Sequence, residues 1–316
     1  MQTTDRYTVA DLEKWSDVGR DINPPVRLGV FGDPVAHSLS PQMQNAALRV
    51  CDIDMQYGRF HIRANELRSA LLFLRKLTTA SPSGGGLDFI GINVTVPHKI
   101  AAFAQIDEAD PSATRAGAVN TIRIRDEKLI ASNTDGEGFV RAIRSEFSID
   151  LRDLRVMIMG AGGGTGRAIA WQCALENCER LVLVNRTPQK ASQLASQLSP
   201  FFARARVLGP VARIQAVAWD ESAMRAQLAD IDLIVNATPL GMNPSDASPL
   251  PARLLAPHHV VFDCVYGASK TALLRAAAEA GARGANGLSM LLHQGALSFS
   301  FWFNREAPLD AMRAAL

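Results

Sequence analysis

A glycine cluster set between an apolar run and an apolar helical pattern constrains this chain more than any other stretch. Residues 156–159 (Val-Met-Ile-Met) are long enough for one buried strand. Gly160-Ala161-Gly162-Gly163-Gly164-Thr165-Gly166 follows at once, and Ala168-Ile169-Ala170-Trp171 then opens a helix-like pattern. Strand, glycine turn and helix form the context in which a G-x-G-x-x-G variant carries meaning. Missing side chains let a pyrophosphate approach the backbone, and a helix N-terminus offers that anion free N–H groups and a partial positive charge. Gly160, Ala161, Gly162, Gly163 and Gly164 are therefore candidate cofactor-binding residues.

The next apolar run, 180–184, bears on which dinucleotide is bound. An acidic residue at its end would hold the ribose 2′-hydroxyl of NAD. Here the run ends in Asn185-Arg186-Thr187, with Lys190 close behind. Arginine suits a phosphate dianion, so the expected cofactor is NADP; a solvated basic loop is the plainer alternative.

With 316 residues, the chain suits two domains or one large one. A net charge of +2 gives no reason to expect nucleic acid or an anionic membrane as partner. No apolar run reaches transmembrane length and the first residues lack a signal-peptide core, so a cytoplasmic protein is expected. The four cysteines form no C-x-x-C pair and the six histidines show no helical ligand spacing, so neither a disulfide framework nor a metal site is indicated.

Residues 1–25 read as a polar N-terminal arm, with or without a short helix over 9–15. The first strand, at 27–32, runs into a segment where Ser40 is expected as N-cap and Pro41 as the first residue of a helix over 42–50. Ser38 and Ser40 either cap the chain locally or hold a small carboxylate at the helix start. A strand over 54–63, with Tyr57, Phe60 and Ile62 as its apolar side chains, and a helix over 66–77 follow. Residues 81–86 read as a loop. In the next strand Asn93 and Thr95 share one face, Pro97 ends it, and Lys99 stands at a new helix start against the dipole preference. Lys99 is a catalytic candidate or an ordinary exposed lysine. Asp135-Gly136 is either a hairpin turn or a helix start between the two halves of the chain, where a ligand cleft would lie. Further strands are expected at 211–217, 231–236 and 260–266. A helix over 271–280 and a long apolar helix over 289–303 follow, the latter carrying Gln294, which by itself could simply face solvent.

Together these pieces resemble the shikimate dehydrogenase family. The resemblance rests on Gly32-Asp33-Pro34 with His37-Ser38-Leu39-Ser40-Pro41, Asn93 through Lys99, Ala116 through Thr121 and Asn133-Thr134-Asp135-Gly136. It continues through the glycine loop, Asn185-Arg186-Thr187, Asn236 through Met242, Asp263 with Tyr266, and Gly287 through Leu291 with Gln294. These occur in family order over roughly residues 27–303. The resemblance implies a two-domain α/β fold: an N-terminal substrate-binding domain (1–135), a Rossmann-type NADP-binding domain (136–286) and a C-terminal helix (287–316) packing back on the first domain.

It further implies that Ser38 and Ser40 bind a substrate carboxylate with help from Tyr266. Asn93, Thr95, Lys99, Asn120, Asp135 and Gln294 would surround ring hydroxyls, and Lys99 and Asp135 would be the catalytic pair. Asn185, Arg186, Thr187 and Lys190 would grip the 2′-phosphoadenosine, and Thr238 and Gly287 would join the cofactor site. The implied reaction is reversible NADP-dependent reduction of 3-dehydroshikimate to shikimate, in aromatic amino-acid biosynthesis, by a monomer or homodimer. A quinate- or aminoshikimate-type relative and a non-catalytic ligand sensor are the rivals. Gln44 stands where the family often has His, Ala268 replaces a family Pro, and residues 1–25 exceed what a compact member needs.

Overall fold

The computed structural model describes residues 6–77, 88–152, 154–203, 212–267 and 270–316; the expectations for 81–86 and Ala268 fall outside them. The chain divides into two compact units, Met1–Thr134 with Leu292–Leu316, and Asp135–Leu291.

The first unit opens with β1 (Tyr7–Thr8), α1 (Val9–Glu13) and α2 (Trp15–Val18), followed by β2 (Val26–Gly32), α3 (Ser40–Val50), β3 (Gln56–His61) and α4 (Leu67–Leu77). It continues with β4 (Gly91–Val94), α5 (Lys99–Phe103), β5 (Glu108–Ala109), α6 (Pro111–Ala116), β6 (Thr121–Arg125) and β7 (Lys128–Ser132). The seven described strands form one mixed sheet in the order β1-β3-β2-β4-β6-β7-β5.

From residue 6 on, the N-terminal segment is no loose arm. Thr8 and Asp11 form a capping box at the start of α1, whose reciprocal bonds satisfy two N–H groups that a helix end leaves open. Tyr7 pairs in parallel with Phe60 of β3. Trp15 is 1% exposed and packs against Tyr7, Phe60 and Phe89 at centroid distances of 5.1, 5.6 and 5.2 Å. A two-residue strand gives no periodic signal, so only its aromatic anchors could have announced it.

A second correction concerns α3. Its N-cap is Leu39, not Ser40; Ser40 and Pro41 already lie inside the helix, and the Ser38 hydroxyl accepts the Ser40 N–H at 3.3 Å.

The second unit contains α7 (Asp135–Phe147), β8 (Arg155–Met159), α8 (Gly164–Leu175), β9 (Arg180–Val184), α9 (Pro188–Phe202), β10 (Ile214–Val217) and α10 (Glu221–Leu228). It goes on through β11 (Leu233–Asn236), β12 (Val260–Asp263), α11 (Ala272–Glu279) and β13 (Arg283–Asn286). Asp135 thus begins a helix and is not part of a hairpin turn. The described strand at the expected 211–217 is Ile214–Val217, and the strand expected to reach Tyr266 ends at Asp263.

All six described strands of this unit are parallel, in the order β10-β9-β8-β11-β12-β13, the doubly wound Rossmann arrangement. Both faces are buried, as parallel sheets require. Val156, Ile158, Leu181, Leu183, Leu233 and Val235 pack on one side, while Met157, Met159, Val182, Val184 and Ile234 pack on the other.

The last helices are α12 (Leu288–Phe303) and α13 (Leu309–Ala314). From Leu292 onward they belong to the first unit, where Trp302 Nε1 donates to the Ile122 carbonyl at 3.0 Å. Met43 fills the space beside Gly295: a Cβ there would lie 2.1 Å from the methionine methyl.

The N-terminal anchor yields a prediction. Trp15→Ala should destabilise the first unit by about 3–5 kcal/mol, the usual cost of emptying a buried aromatic site, read as a lower urea midpoint. An unchanged midpoint would show that residues 6–20 only rest on the surface.

Candidate active site

In the first unit the polar residues gather because of strand direction. β2 and β4 are parallel neighbours, so the segments after their C-terminal ends, Asp33–Ser40 and Thr95–Lys99, start side by side. The Asp33 N–H donates to the Val96 carbonyl at 2.9 Å, and a Cβ at Gly32 would lie 2.5 Å from Thr95 Cγ2. β6 runs antiparallel to β4 with Asn93 opposite Thr121, and antiparallel to β7 with Thr121 opposite Ser132. Asn120 and Thr134 therefore arrive at the same end of the sheet.

Asn93, Asn120 and Gln294 join one buried network. Asn93 Oδ1 accepts the Tyr57 hydroxyl at 2.8 Å. Its amide nitrogen faces the Asn120 carbonyl at 2.9 Å and the Thr121 and Ser298 hydroxyls at 3.1 Å each. Asn120 Nδ2 donates to Thr134 Oγ1 at 2.8 Å and Gln294 Oε1 at 3.1 Å. Gln294 is therefore not a solvent-facing side chain on the back of its helix.

With its amide hydrogens committed, Asn93 keeps one Oδ1 lone pair for any ligand. Tyr57, read from the sequence as an apolar strand residue, serves through its hydroxyl as well as its ring. Ser298, four residues after Gln294 on the same helix face, joins the network without having stood out in the sequence, and Thr121, part of a family motif but not a site candidate, joins it too. Helical spacing could have pointed to the serine; nothing in the sequence connects Tyr57 to Asn93.

Ser38 and Ser40 lie together at the start of α3. The Ser38 carbonyl is braced by Arg59, whose Nε and terminal nitrogen donate at 3.1 and 3.0 Å. Since the Ser38 hydroxyl accepts the Ser40 N–H, it still has its own proton to donate. Lys99 is half-buried at the start of α5, and its carbonyl accepts the Val119 N–H at 2.9 Å, fixing the lysine backbone one residue from Asn120. His98 beside it is 1% exposed. Its Nε2 lies 2.7 Å from the Ile62 carbonyl, and burial pushes its pKa down. A neutral ring with Nε2–H donating fits both facts.

In the second unit, the switch point of the sheet lies between β8 and β11, which lead from the centre to opposite edges. Gly160 follows β8 with φ +85°, and a Cβ there would lie 2.7 Å from Thr238 Cγ2. A Cβ at Gly166 would lie 2.3 Å from the Gly160 carbonyl oxygen. The Gly162 N–H donates to Asn185 Oδ1 at 3.1 Å, and a Cβ at Gly162 would lie 2.8 Å from Lys190 Cβ. Gly163 caps α8 without a side-chain bond. The first-turn N–H groups have no intrahelical partners and suit an anion.

Arg186, Thr187 and Lys190 are exposed, and among the described residues neither cation is held in an ion pair. This cradle of small residues with cations beside it fits a dinucleotide carrying a ribose phosphate.

Asp135 is 3% exposed at the first turn of α7, and Thr165 Oγ1 donates to its Oδ2 at 3.2 Å. Thr238 is fixed by Asn236, whose Oδ1 accepts both its N–H at 3.1 Å and its hydroxyl at 2.6 Å. Asn236 is held in turn by Asp263, fully buried. That carboxylate accepts Asn236 Nδ2 at 2.9 Å, the Val265 N–H at 3.1 Å and the Thr271 hydroxyl at 2.6 Å. Tyr266 is half-buried just beyond. The Gly287 N–H donates to the Val265 carbonyl at 3.2 Å, and a Cβ at Gly287 would lie 2.2 Å from the Cys264 carbonyl oxygen.

Burial raises the pKa of Asp263 despite its three donors. A raised native pKa means that the native state loses stability, relative to the unfolded chain, as pH rises from below the usual carboxylate range through the native value. The isosteric Asp263→Asn keeps acceptors for Asn236 and Val265 and removes that charge. Its stability relative to the parent should therefore improve steadily between acid and neutral pH, read from urea midpoints at several pH values. A difference independent of pH would show that the charge costs nothing here.

Three family models match this sequence. Residues 30–122 match the shikimate dehydrogenase substrate binding domain, 141–239 the shikimate / quinate 5-dehydrogenase model and 287–316 the shikimate 5′-dehydrogenase C-terminal domain. The shikimate dehydrogenase (NADP(+)) of Symbiobacterium thermophilum is 41% identical over 290 residues, 91% of this chain and 92% of that one. A crystal structure of a shikimate dehydrogenase in complex with NADP+ has a TM-score of 0.78 at 33% identity, covering 94% of this chain and 97% of the other. Shikimate 5-dehydrogenase from Thermus thermophilus, in complex with NADP(H) and shikimate, has a TM-score of 0.75 at 33% identity, covering 92% and 98%.

Proposed function

Because the chain belongs to the shikimate dehydrogenase family, we propose that it catalyses the reversible, NADP-dependent reduction of 3-dehydroshikimate to shikimate, a step of aromatic amino-acid biosynthesis. The observation that carries this reading is the glycine cradle at the switch point with Arg186, Thr187 and Lys190 beside it. It supplies N–H groups for a pyrophosphate and cations for a ribose phosphate. NADP, once bound, supplies the hydride chemistry; binding, orientation and proton handling fall to the side chains.

Ser38 and Ser40 hold the substrate carboxylate, the Ser38 hydroxyl donating to it, with Tyr266 assisting. Asn93, Thr95, Asn120 and Gln294 bond the ring hydroxyls. The preset network of Asn93, Asn120 and Gln294 reduces what must be ordered on binding. Lys99 and Asp135 form the catalytic pair. In the reduction direction the Lys99 ammonium bonds the carbonyl oxygen, stabilises the negative charge that grows there and is the proton source for it. Asp135 accepts from a neighbouring hydroxyl and orients the ring.

Gly160 through Gly164 hold the pyrophosphate. Asn185, Arg186, Thr187 and Lys190 would hold the 2′-phosphoadenosine, and Thr238 and Gly287 would join the cofactor site. The functional division keeps substrate binding in residues 1–135 with 287–316, and dinucleotide binding in 136–286. The proposal extends to a cytoplasmic enzyme, monomer or homodimer, acting on a small molecule without nucleic acid or membrane. No helix among the described residues is long and apolar enough to cross a membrane.

Steady-state assays offering shikimate and quinate, each with NADP and NAD, test the reading. The specificity constant should be highest for shikimate with NADP; a preference for quinate or NAD overturns that half of the assignment, and no turnover with any pair overturns the enzyme reading. Lys99→Ala should lower kcat by ~10²–10⁴-fold while NADP still binds, the range typical of a lost acid–base group. Arg186→Gln should weaken NADP by ~10-fold or more and leave NAD unchanged, as expected for a charge-assisted bond to phosphate. Equal effects on both cofactors would remove Arg186 from phosphate recognition.

A further inference from the structure

We propose that Thr165 is a positioning residue that ties the dinucleotide loop to the carboxylate of Asp135; the proposal rests on the catalytic reading of Asp135 above. Thr165 is the second residue of α8, between Gly164 and Gly166. The cap is Gly163, which makes no side-chain bond, and a β-branched residue is only a moderate helix former. The hydroxyl donates instead to Asp135 Oδ2 at 3.2 Å, thirty positions back in the chain.

The packing of the two helices holds the pair in place. Gly136, next to the carboxylate, meets α8 so closely that a Cβ would lie 2.9 Å from the Ala168 carbonyl oxygen and 3.1 Å from Gln172 Cβ. Asp135 is 3% exposed, so its side chain has little room to turn. One turn of backbone, residues 163–166, thus presents its N–H groups to the bound anion and a hydroxyl to the catalytic carboxylate. Ordering that turn on the dinucleotide also orders the donor that sets the Asp135 rotamer. A correctly aimed acceptor then saves orientational freedom at the substrate hydroxyl, and small misplacements of such groups are costly.

Thr165→Val keeps the shape and removes the donor; Thr165→Ser keeps the donor and removes the methyl. The valine variant should lose about 10-fold in kcat, the worth of one hydrogen bond to a charged group. Its Kd for NADP, measured by calorimetry, should stay within about twofold of the parent. The serine variant should recover most of that turnover.

Parent-like kcat in Thr165→Val, an equal loss in Thr165→Ser, or a loss of NADP affinity as large as the loss of kcat would each overturn the proposal. Asp135→Asn separates this from the underlying reading. If that variant turns over like the parent, the catalytic role of Asp135 fails. If it is inactive while Thr165→Val is not, only the role of Thr165 fails.

Discussion

A Cβ at Gly166 would lie 2.3 Å from the Gly160 carbonyl oxygen, and the second unit depends on that approach. It sets α8 directly against the end of β8, so the helix dipole and its first-turn N–H groups point at the sheet's switch point. The next steps follow from it. Gly160 turns the chain at φ +85° against Thr238, and Gly162 comes close enough to bond Asn185. That asparagine also donates to the Thr187 carbonyl at 3.0 Å, which brings the basic residues of the next turn up to the glycine loop. A side chain at Gly166 would have to move backbone, and one at Gly160 the Thr238 methyl and the Ala237 backbone.

The first unit solves a different problem. Its sheet end buries several amides and hydroxyls, which is costly unless each finds a partner. Asn93, Asn120, Thr121, Thr134, Gln294 and Ser298 provide those partners for one another. Ser298 Oγ lies 2.7 Å from Thr121 Oγ1 and donates to the Gln294 carbonyl at 2.9 Å. The network links the ends of β4, β6 and β7 to α12, so the C-terminal helix is held by polar bonds as well as by Trp302 and Met43. Removing one member leaves the others buried with fewer partners, which is why such clusters are rigid.

Local signals carry most of this architecture. The unbroken apolar runs at 156–159 and 181–184, buried on both faces, and the glycine cluster between strand and helix make the dinucleotide unit legible. The segments at Ser38, Asn93 and Asp135 are legible as motifs. What cannot be read depends on residues distant in sequence. β1 exists because Tyr7 and Trp15 find Phe60 and Phe89, and two residues carry no period. Arg59 looks like a strand residue until β3 places it beside the Ser38 carbonyl. Ser40 reads as a cap because Ser-Pro is a strong local signal. The chain turns one residue earlier, with Leu39 in a helical conformation and Ser38 supplying the hydroxyl.

Two buried carboxylates in the second unit sit in different surroundings. Asp263 is fully buried and accepts from Asn236, Val265 and Thr271. Each bond holds a segment that borders the switch point or the stretch leading to Tyr266, and burial still raises its pKa. Its charge is a cost the fold bears to keep those loops in register. Asp135 is nearly as buried, but it sits at the first turn of α7, where the helix itself favours an anion. The Thr165 hydroxyl that donates to it constrains its direction. A carboxylate whose oxygens are taken up by loop backbone and neighbouring amides is committed to the fold. Asp135, at a helix start, has its direction set by a hydroxyl donor, as the role proposed for it on substrate would require.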